Sequence, residues 1–553
     1  MHQRIIECVP NISEGRDRAR IDAIAAVAET VEGVHLLDVD PGKATNRTVI
    51  TFVGEPEQVC EAAFRLVKKA QELIDMRGHK GEHPRFGATD VCPLVPISGV
   101  SMEECAAHAR KLGERIGKEL GIPVYLYENA ASEQKRRNLA NNRSGEYEGL
   151  PKKLKDPAWR PDFGPAEFSE NVAKSGAIAV GARNFLVAYN VNLNTTSTRR
   201  ANAIAFDVRE AGRKVKQADG SEKHVPGKLK AVKGIGWYIE EYGIAQLSFN
   251  LTDVTVTPVH VAFDEACKSA AERGIRVTGS ELVGPIPKQA LLDAADFYLA
   301  RQQRSLGISE REKIKIAVKS LGLDDLGPFD PQKKVIEHML EDAGNERLVR
   351  MDLKRFSEET ANESPAPGGG SVAAYMGALG AALGTMVANL SAHKRGWDDR
   401  WKHFSDWAVR GERLRNELLF LVDEDTRAFD RIMSAMGLPK GSDEEKKARK
   451  AAITEATKGA INTPLRTMQV CVESMDLMKA MAAEGLPASV SDAGVGALCA
   501  RAGALGGYLN VRINCAGLDD AAFKEMVLKE AEALKAKADA LEAEVMAVTL
   551  GKV

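Results

Sequence analysis

The hydrophobic period of this chain changes once, near residue 350, and a chain that does this must join two different folds end to end. Before the change, short apolar runs alternate with amphipathic stretches. Arg4–Val9, Val34–Val39, Thr48–Gly54 and Val91–Ile97 read as strands, with helices over Arg16–Glu32, Pro56–Ile74 and Ser101–Leu120 and a further strand at Pro123–Tyr127. The rhythm restarts after Pro161. Strands are expected at Asn184–Leu193, Leu229–Ile239, Ala245–Leu251 and Ile275–Leu282, and helices at Ser197–Arg213, Val259–Arg273 and Lys288–Gln303. Beyond Asp352 the strand signals vanish, and helical spacing runs through Trp401–Leu421, Asp425–Met436, Glu444–Ala460 and Asp519–Val548.

Each pass through the first part approximates β-α-β-β-α-β, the split βαβ unit of ferredoxin-like folds. The expected organisation is therefore an α/β part of two ferredoxin-like subdomains, residues 1–160 and 161–304, fused to an all-α helical domain over residues 351–553. Residues 305–350 read as a charged linker broken at Gly327-Pro328-Phe329-Asp330-Pro331.

Size and composition remove several classes. A chain of 553 residues with 44% hydrophobic and 28% charged residues can bury several cores and is not disordered. Seventy-six Lys+Arg stand against 78 Asp+Glu, so the basic excess of a dedicated nucleic-acid binder is missing. The eight cysteines are scattered without a C-x-x-C pair, which reads as free thiols in a reducing cytoplasm. Met1–Glu7 has no apolar signal core, so no signal peptide is expected. Val372–Leu390 carries no charge but consists largely of Ala and Gly, which suits a helix buried in a bundle better than a membrane span.

The densest polar cluster is His79-Lys80-Gly81-Glu82-His83-Pro84-Arg85. Histidine titrates near neutrality and suits acid–base work. The segment also fits the H-x-x-E-H pattern of a zinc peptidase, but that pattern needs a continuous helix, which Gly78, Gly81 and Pro84 oppose. A metal-free acid–base site is the favoured reading, with a solvated turn as the bland one. Asp38 and Asp40 alternate onto one face at the end of a strand, where carboxylates often reach a site or merely shape a turn. Asp162-Phe163-Gly164-Pro165 opens a Gly-containing loop reaching Gly181, either a ligand loop or a connector.

In the helical part, Ala366-Pro367-Gly368-Gly369-Gly370-Ser371 leads into a helix. Glycines permit close backbone approach, and a helix N-terminus offers N–H groups to an anion. Asp423-Glu424-Asp425-Thr426-Arg427 follows an apolar run. It is either a buried acid with a raised pKa or, as residue pattern alone favours, a helix cap with a surface Asp–Arg pair.

Several strings together resemble glutamate formimidoyltransferase: Cys8-Val9-Pro10-Asn11-Ile12-Ser13-Glu14-Gly15, Asp38-Val39-Asp40, Asn46-Arg47-Thr48-Val49, Gly81-Glu82-His83-Pro84-Arg85, Val124-Tyr125-Leu126-Tyr127 and Asp162-Phe163-Gly164-Pro165. The second part, with Ala366–Ser371 and Val422-Asp423-Glu424-Asp425, resembles formimidoyltetrahydrofolate cyclodeaminase. The resemblance covers nearly the whole chain and keeps the order transferase, linker, cyclodeaminase. It implies two ferredoxin-like subdomains and a helical domain, assembled as a cytoplasmic ring of dimers. It implies formimidoylglutamate and tetrahydrofolate, polyglutamylated in the cell, as substrates, with no bound cofactor, metal, nucleic acid or membrane.

By the same resemblance His83 is the transferase base, Asp40 a supporting carboxylate and Asp425 the cyclodeaminase acid. Gly164, Pro165 and Gly176 belong to the implied folate loop, and Gly368, Gly369, Gly370 and Ser371 to the second substrate site. The residues alone leave two alternatives open: a zinc peptidase using His79 and His83, and a folate-binding scaffold without activity.

Overall fold

A computed structural model describes residues 4–42, 46–80, 85–217, 219, 221–340, 348–363 and 366–553. The chain divides into two compact units, residues 1–291 with 321–341 and residues 292–320 with 342–553. The segment expected as one linker is thus split between them. Its helix Glu310–Leu321 lies almost wholly in the second unit.

The first unit is mixed α/β. Its larger sheet takes β1 (Ile5–Cys8), β2 (Asn11–Ile12), β3 (His35–Gly42), β4 (Arg47–Gly54), β5 (Thr89–Ser98), β6 (Val124–Glu128) and β7 (Ile178–Ala182). β1 and β2 follow one another between β4 and β5 and run antiparallel to both, while β3 lies outside β4. β7 runs parallel to β5 and to β6. The sheet therefore continues past the boundary expected at residue 160, because the apolar run Ile178–Ala182 finds a parallel partner on each side.

Helices α1 (Arg18–Ala25), α2 (Pro56–Leu73) and α3 (Met102–Arg115) supply one face of the core. Ile24, Phe64, Leu66 and Leu112 meet the alternate strand residues Ile6, Phe52, Leu94 and Val180 there. The start of α3 follows from its sequence: Ser101 and Glu104 form a reciprocal capping box.

The second sheet takes β8 (Val187–Leu193), β11 (Val232–Ile239), β12 (Ile244–Leu251) and β13 (Val277–Val283) in the order β11-β12-β8-β13, all antiparallel. Between them in sequence, β9 (Arg213–Lys216) and β10 (Glu222–Val225) form a separate exposed hairpin. α4 (Thr198–Val208) and α5 (Val259–Ala271) are the two crossover helices of this sheet.

The second unit is helical: α6 (Gly369–Ala392), α7 (Trp401–Met436), α8 (Asp443–Glu484), α9 (Val490–Ala516) and α10 (Ala521–Leu550). α7 runs unbroken through the acidic run that the sequence reading placed at a helix boundary. The uncharged segment Val372–Leu390 lies within α6, whose buried residues join those of α7, α8 and α9 in one core. It is the one helix among the described residues long and apolar enough to cross a membrane, and 61% of its apolar window is buried in the protein. Small residues let its backbone meet α9 directly. A Cβ added at Gly380 would lie 2.7 Å from the Gly496 carbonyl oxygen, and one at Gly503 would lie 2.7 Å from that of Ala373.

Candidate active sites

The first candidate surrounds the polar loop between α2 and β5. Residues 81–84, with His83, lie outside the described residues, but both flanks of the loop are fixed. A short 3₁₀ turn, Met76–Gly78, ends at His79 with extended backbone, φ −75° and ψ 133°. The helix that an H-x-x-E-H zinc site requires is therefore absent at its first histidine. His79 Nε2 lies 2.9 Å from the Asn46 carbonyl, and burial pushes the His79 pKa down. The Asn46 side chain donates to the Lys80 carbonyl at 2.9 Å and accepts from the Gly15 N–H at 3.0 Å. On the far flank the Arg85 guanidinium pairs with Glu148 and donates to the His79 carbonyl at 3.2 Å, and the Arg85 carbonyl accepts from the Tyr147 N–H.

Behind this loop sits a buried charge cluster. Asp90 is 1% exposed and takes one guanidinium N–H from Arg47 at 3.1 Å and one from Arg143 at 2.8 Å. Arg47 also donates twice to Asn11 Oδ1, at 2.9 and 2.6 Å. Among the described residues two guanidiniums meet this one carboxylate, an excess of positive charge that suits an anionic substrate carboxylate. Asn11 and Arg47 lie in strings quoted above for their resemblance, but spacing gave no sign that Asp90 and Arg143 would join them.

The implied folate loop reaches the same place through its C-terminal end. Gly176 (φ +67°) crosses Gly87 so closely that a Cβ would sit 2.5 Å from the Gly87 Cα. The Ala88 N–H donates to the Ser175 carbonyl and the Ala177 N–H to the Phe86 carbonyl. Gly164 and Pro165 lie apart from this crossing. Gly164 (φ +83°) turns against the Ile122 carbonyl, 2.3 Å from where a Cβ would stand, and is itself exposed, while Pro165 is half-buried. Asp40 and Asp38 share an exposed face of β3, as the alternation predicts. Asp40 stands opposite Val49 on β4.

The second candidate lies in the helical unit. α6 starts at Gly369 with Gly368 as its N-cap, and Asp425 on α7 lies against this end. Ser371 Oγ donates to the Val422 carbonyl at 2.9 Å and to Asp425 Oδ2 at 3.2 Å, and the Ser371 N–H also donates to the Asp425 carboxylate. The anion expected at this helix end is thus the protein's own carboxylate. Burial pushes the Asp425 pKa up, opposed by the two Ser371 hydrogen bonds. The cap-and-surface-pair reading fails here, because Asp425 is mid-helix and Arg427 pairs with Glu424.

A cavity of about 140 Å³ opens beside the carboxyl, lined by Gly368, Gly369, Gly370, Asp425 and, from α9, Asn510 and Asn514. Ser371 is fully buried behind it and holds Asp425. The two asparagines carried no signal in the sequence beyond their i,i+4 spacing.

Comparison with known proteins covers both halves of the chain. Residues 5–183 match the formiminotransferase domain, N-terminal subdomain; residues 188–341 match the formiminotransferase domain; residues 352–533 match the formiminotransferase-cyclodeaminase model. A formimidoyltransferase-cyclodeaminase of Gallus gallus is 46% identical over 524 residues, covering 94% of each chain. A glutamate formimidoyltransferase of Thermoplasma acidophilum is 44% identical over 297 residues, covering 53% of this chain and 92% of its own. A methenyltetrahydrofolate cyclohydrolase of Methylorubrum extorquens is 43% identical over 211 residues, covering 38% of this chain and 99% of its own. With near-complete coverage at this identity, and both halves matched in order, the chain belongs to the formimidoyltransferase-cyclodeaminase family.

Proposed function

We propose that this chain moves the formimidoyl group of N-formimidoyl-L-glutamate to tetrahydrofolate, then cyclises 5-formimidoyltetrahydrofolate to 5,10-methenyltetrahydrofolate with release of ammonia. The observation that carries the reading is Asp425, a mid-helix carboxyl held by Ser371 beside a glycine-lined cavity.

In the first step N5 of tetrahydrofolate attacks the amidine carbon, His83 takes the N5 proton and returns it to the glutamate nitrogen, and the C–N bond breaks to release glutamate. Asp40 supports that base, and Gly164, Pro165 and Gly176 contribute the folate loop. The junction of Gly176 with Gly87 supports this, since it brings the loop to the strand that follows His83. The Arg47–Asp90–Arg143 cluster supplies the positive field for a substrate carboxylate.

In the second step N10 attacks the same carbon. Asp425 takes the N10 proton, and burial, which raises its pKa, favours passing that proton on to the departing nitrogen. Gly368, Gly369 and Gly370 let substrate approach the carboxyl, and Ser371 orients it. Tetrahydrofolate is a substrate that carries the one-carbon unit from the first step into the second.

The α/β unit is read as two ferredoxin-like subdomains, a reading supported by the strand order β11-β12-β8-β13 with its two crossover helices. We assign the protein to the cytoplasm, which suits its eight free thiols, and to a ring of dimers, for which the exposed Val495, Leu509 and Ile513 on α9 offer an apolar surface. The similarity of the helical part to a methenyltetrahydrofolate cyclohydrolase favours one second reading, in which that part hydrolyses the methenyl product.

The test is an assay with formimidoylglutamate and tetrahydrofolate that follows ammonia and methenyl-folate separately. His83→Ala should lose transfer by about 10²–10⁴-fold and keep ammonia release from supplied 5-formimidoyltetrahydrofolate. Asp425→Asn should do the converse and let that intermediate accumulate. A wild-type chain that binds folate and turns over neither substrate would be a scaffold. Normal ammonia release from Asp425→Asn with loss in Asp423→Asn would move the acid to Asp423.

A further inference from the structure

The cavity beside Asp425 holds more hydrogen-bond acceptors than one acid explains. We propose that it is a subsite for a positively charged nitrogen donor, the protonated amidine (amidinium) of the formimidoyl group, bound and selected by Asn510 and Asn514 together with Asp425. The proposal rests on the cyclodeaminase reading above.

Three observations carry it. First, the amide orientations are set by backbone carbonyls of α8 and α9. Asn510 Nδ2 donates to the Gly506 carbonyl at 2.8 Å and Asn514 Nδ2 to the Ala460 carbonyl at 2.9 Å. Among the described residues neither Oδ1 receives a hydrogen bond, so both oxygens are available to a ligand. Second, the Thr426 hydroxyl, on the same lining, is buried without a partner among the described residues. A helical threonine ordinarily donates to the carbonyl four residues back, here Val422, and Ser371 occupies that carbonyl. A hydroxyl in this state can complete its bonding with a ligand or a water that enters the cavity. Third, no lysine, arginine or histidine stands among the described lining residues, so the acceptors face no cation of the protein.

The amidinium answers this pattern because its terminal nitrogen carries two N–H donors and a positive charge. It is also the group that must react. N10 forms a bond to the amidine carbon as the C=N π pair withdraws to the terminal nitrogen. Asp425 takes the N10 proton and returns it to that nitrogen, the C–N bond breaks, and ammonia leaves with the single positive charge kept on the methenyl product. Asn510 and Asn514 hold the nitrogen throughout. A 5-formyl group has nearly the same shape, but its oxygen brings no N–H donor, so the two amide oxygens and the carboxylate would gain no partner from it.

The test uses the full chain, with 5-formimidoyltetrahydrofolate as substrate for ammonia release and 5-formyltetrahydrofolate, its oxygen isostere, as competitor. The wild-type inhibition constant of the isostere should exceed the KM of the substrate by 10-fold or more, the scale set by hydrogen bonds to a charged group. Asn510→Ala and Asn514→Ala should each narrow that ratio about 10-fold, with transfer to tetrahydrofolate unchanged. Asn510→Asp, which keeps an oxygen in place, should preserve the preference. A wild-type ratio near one overturns the proposal without any variant, as does an unchanged ratio in both alanine variants. If the wild type releases no ammonia, the cyclodeaminase reading itself falls, and this proposal with it.

Discussion

Gly370→Ala separates the two activities by one methyl group. A Cβ at residue 370 would lie 2.2 Å from Asp425 Oδ1 and 2.5 Å from its Cγ. The colliding atoms are the end of a side chain, so the carboxyl yields before the backbone does. To reach an ordinary contact it must retreat by about 1 Å, which breaks the 3.2 Å hydrogen bond from Ser371 Oγ. A misplacement of about 1 Å in a reacting group costs on the order of 10²-fold in rate. The effect on folding has the opposite sign in part, since alanine favours a helix over glycine by up to about 1 kcal/mol. The expected result is a cyclodeaminase rate lowered about 100-fold with thermal unfolding nearly unchanged and formimidoyl transfer intact. The assay follows ammonia and methenyl-folate from supplied 5-formimidoyltetrahydrofolate, with a calorimetric scan beside it. Full ammonia release from Gly370→Ala would refute the reasoning, because it would mean that the carboxyl beside Gly370 does not act.

Two further predictions concern the α/β unit. Burial raises the Glu7 pKa from 4.5 to about 7, against the Coulombic pull of Arg183. Here the folded state binds the extra proton, so stability falls as pH rises from 4.5 through 7, by roughly 3 kcal/mol in all. Glu7→Gln should therefore raise Tm at pH 8 relative to the wild type and change it little near pH 4; equal Tm differences at both values would contradict the burial. Asp90→Asn should destabilise the chain by about 3–5 kcal/mol, because Arg47 and Arg143 lose their shared buried carboxylate, and chemical denaturation that shows less than about 1 kcal/mol would show that the cluster is not holding the fold.

Helices and strands with a plain period were legible in the sequence. The reading Pro56–Ile74 became Pro56–Leu73, and Ser101 started its helix through a local capping box. What local pattern could not show were the elements and sites made by distant chain. Asn11–Ile12 is too short to read as a strand and exists because β4 and β5 flank it. Three of the five residues of Ile178–Ala182 are alanine or glycine, weak strand formers, and the strand is held by parallel partners on both sides.

The acidic run at Asp423 looked like a surface cap because its burial comes from α6, some fifty residues earlier. The glycine loop does lie close to an anion, but that anion is the chain's own Asp425 rather than a ligand. Arg47, Asp90 and Arg143 each look like ordinary surface charge in sequence. The sheet brings Arg47 to Asp90, and the end of the short helix Leu139–Asn142 adds Arg143.

The contact of α6 with α9 has a consequence for how this site can change. Where Gly380 meets Gly496 and Gly503 meets Ala373, main-chain atoms set the spacing of the two helices, and no side chain is there to be resized. The distance from the Gly370 end of α6 to Asn510 and Asn514 is therefore indifferent to what those asparagines become. Substitutions at 510 and 514 can retune which one-carbon group is accepted while the frame stays constant, so specificity in this half of the enzyme is free to drift in evolution, or to be redesigned, without a compensating change in the core.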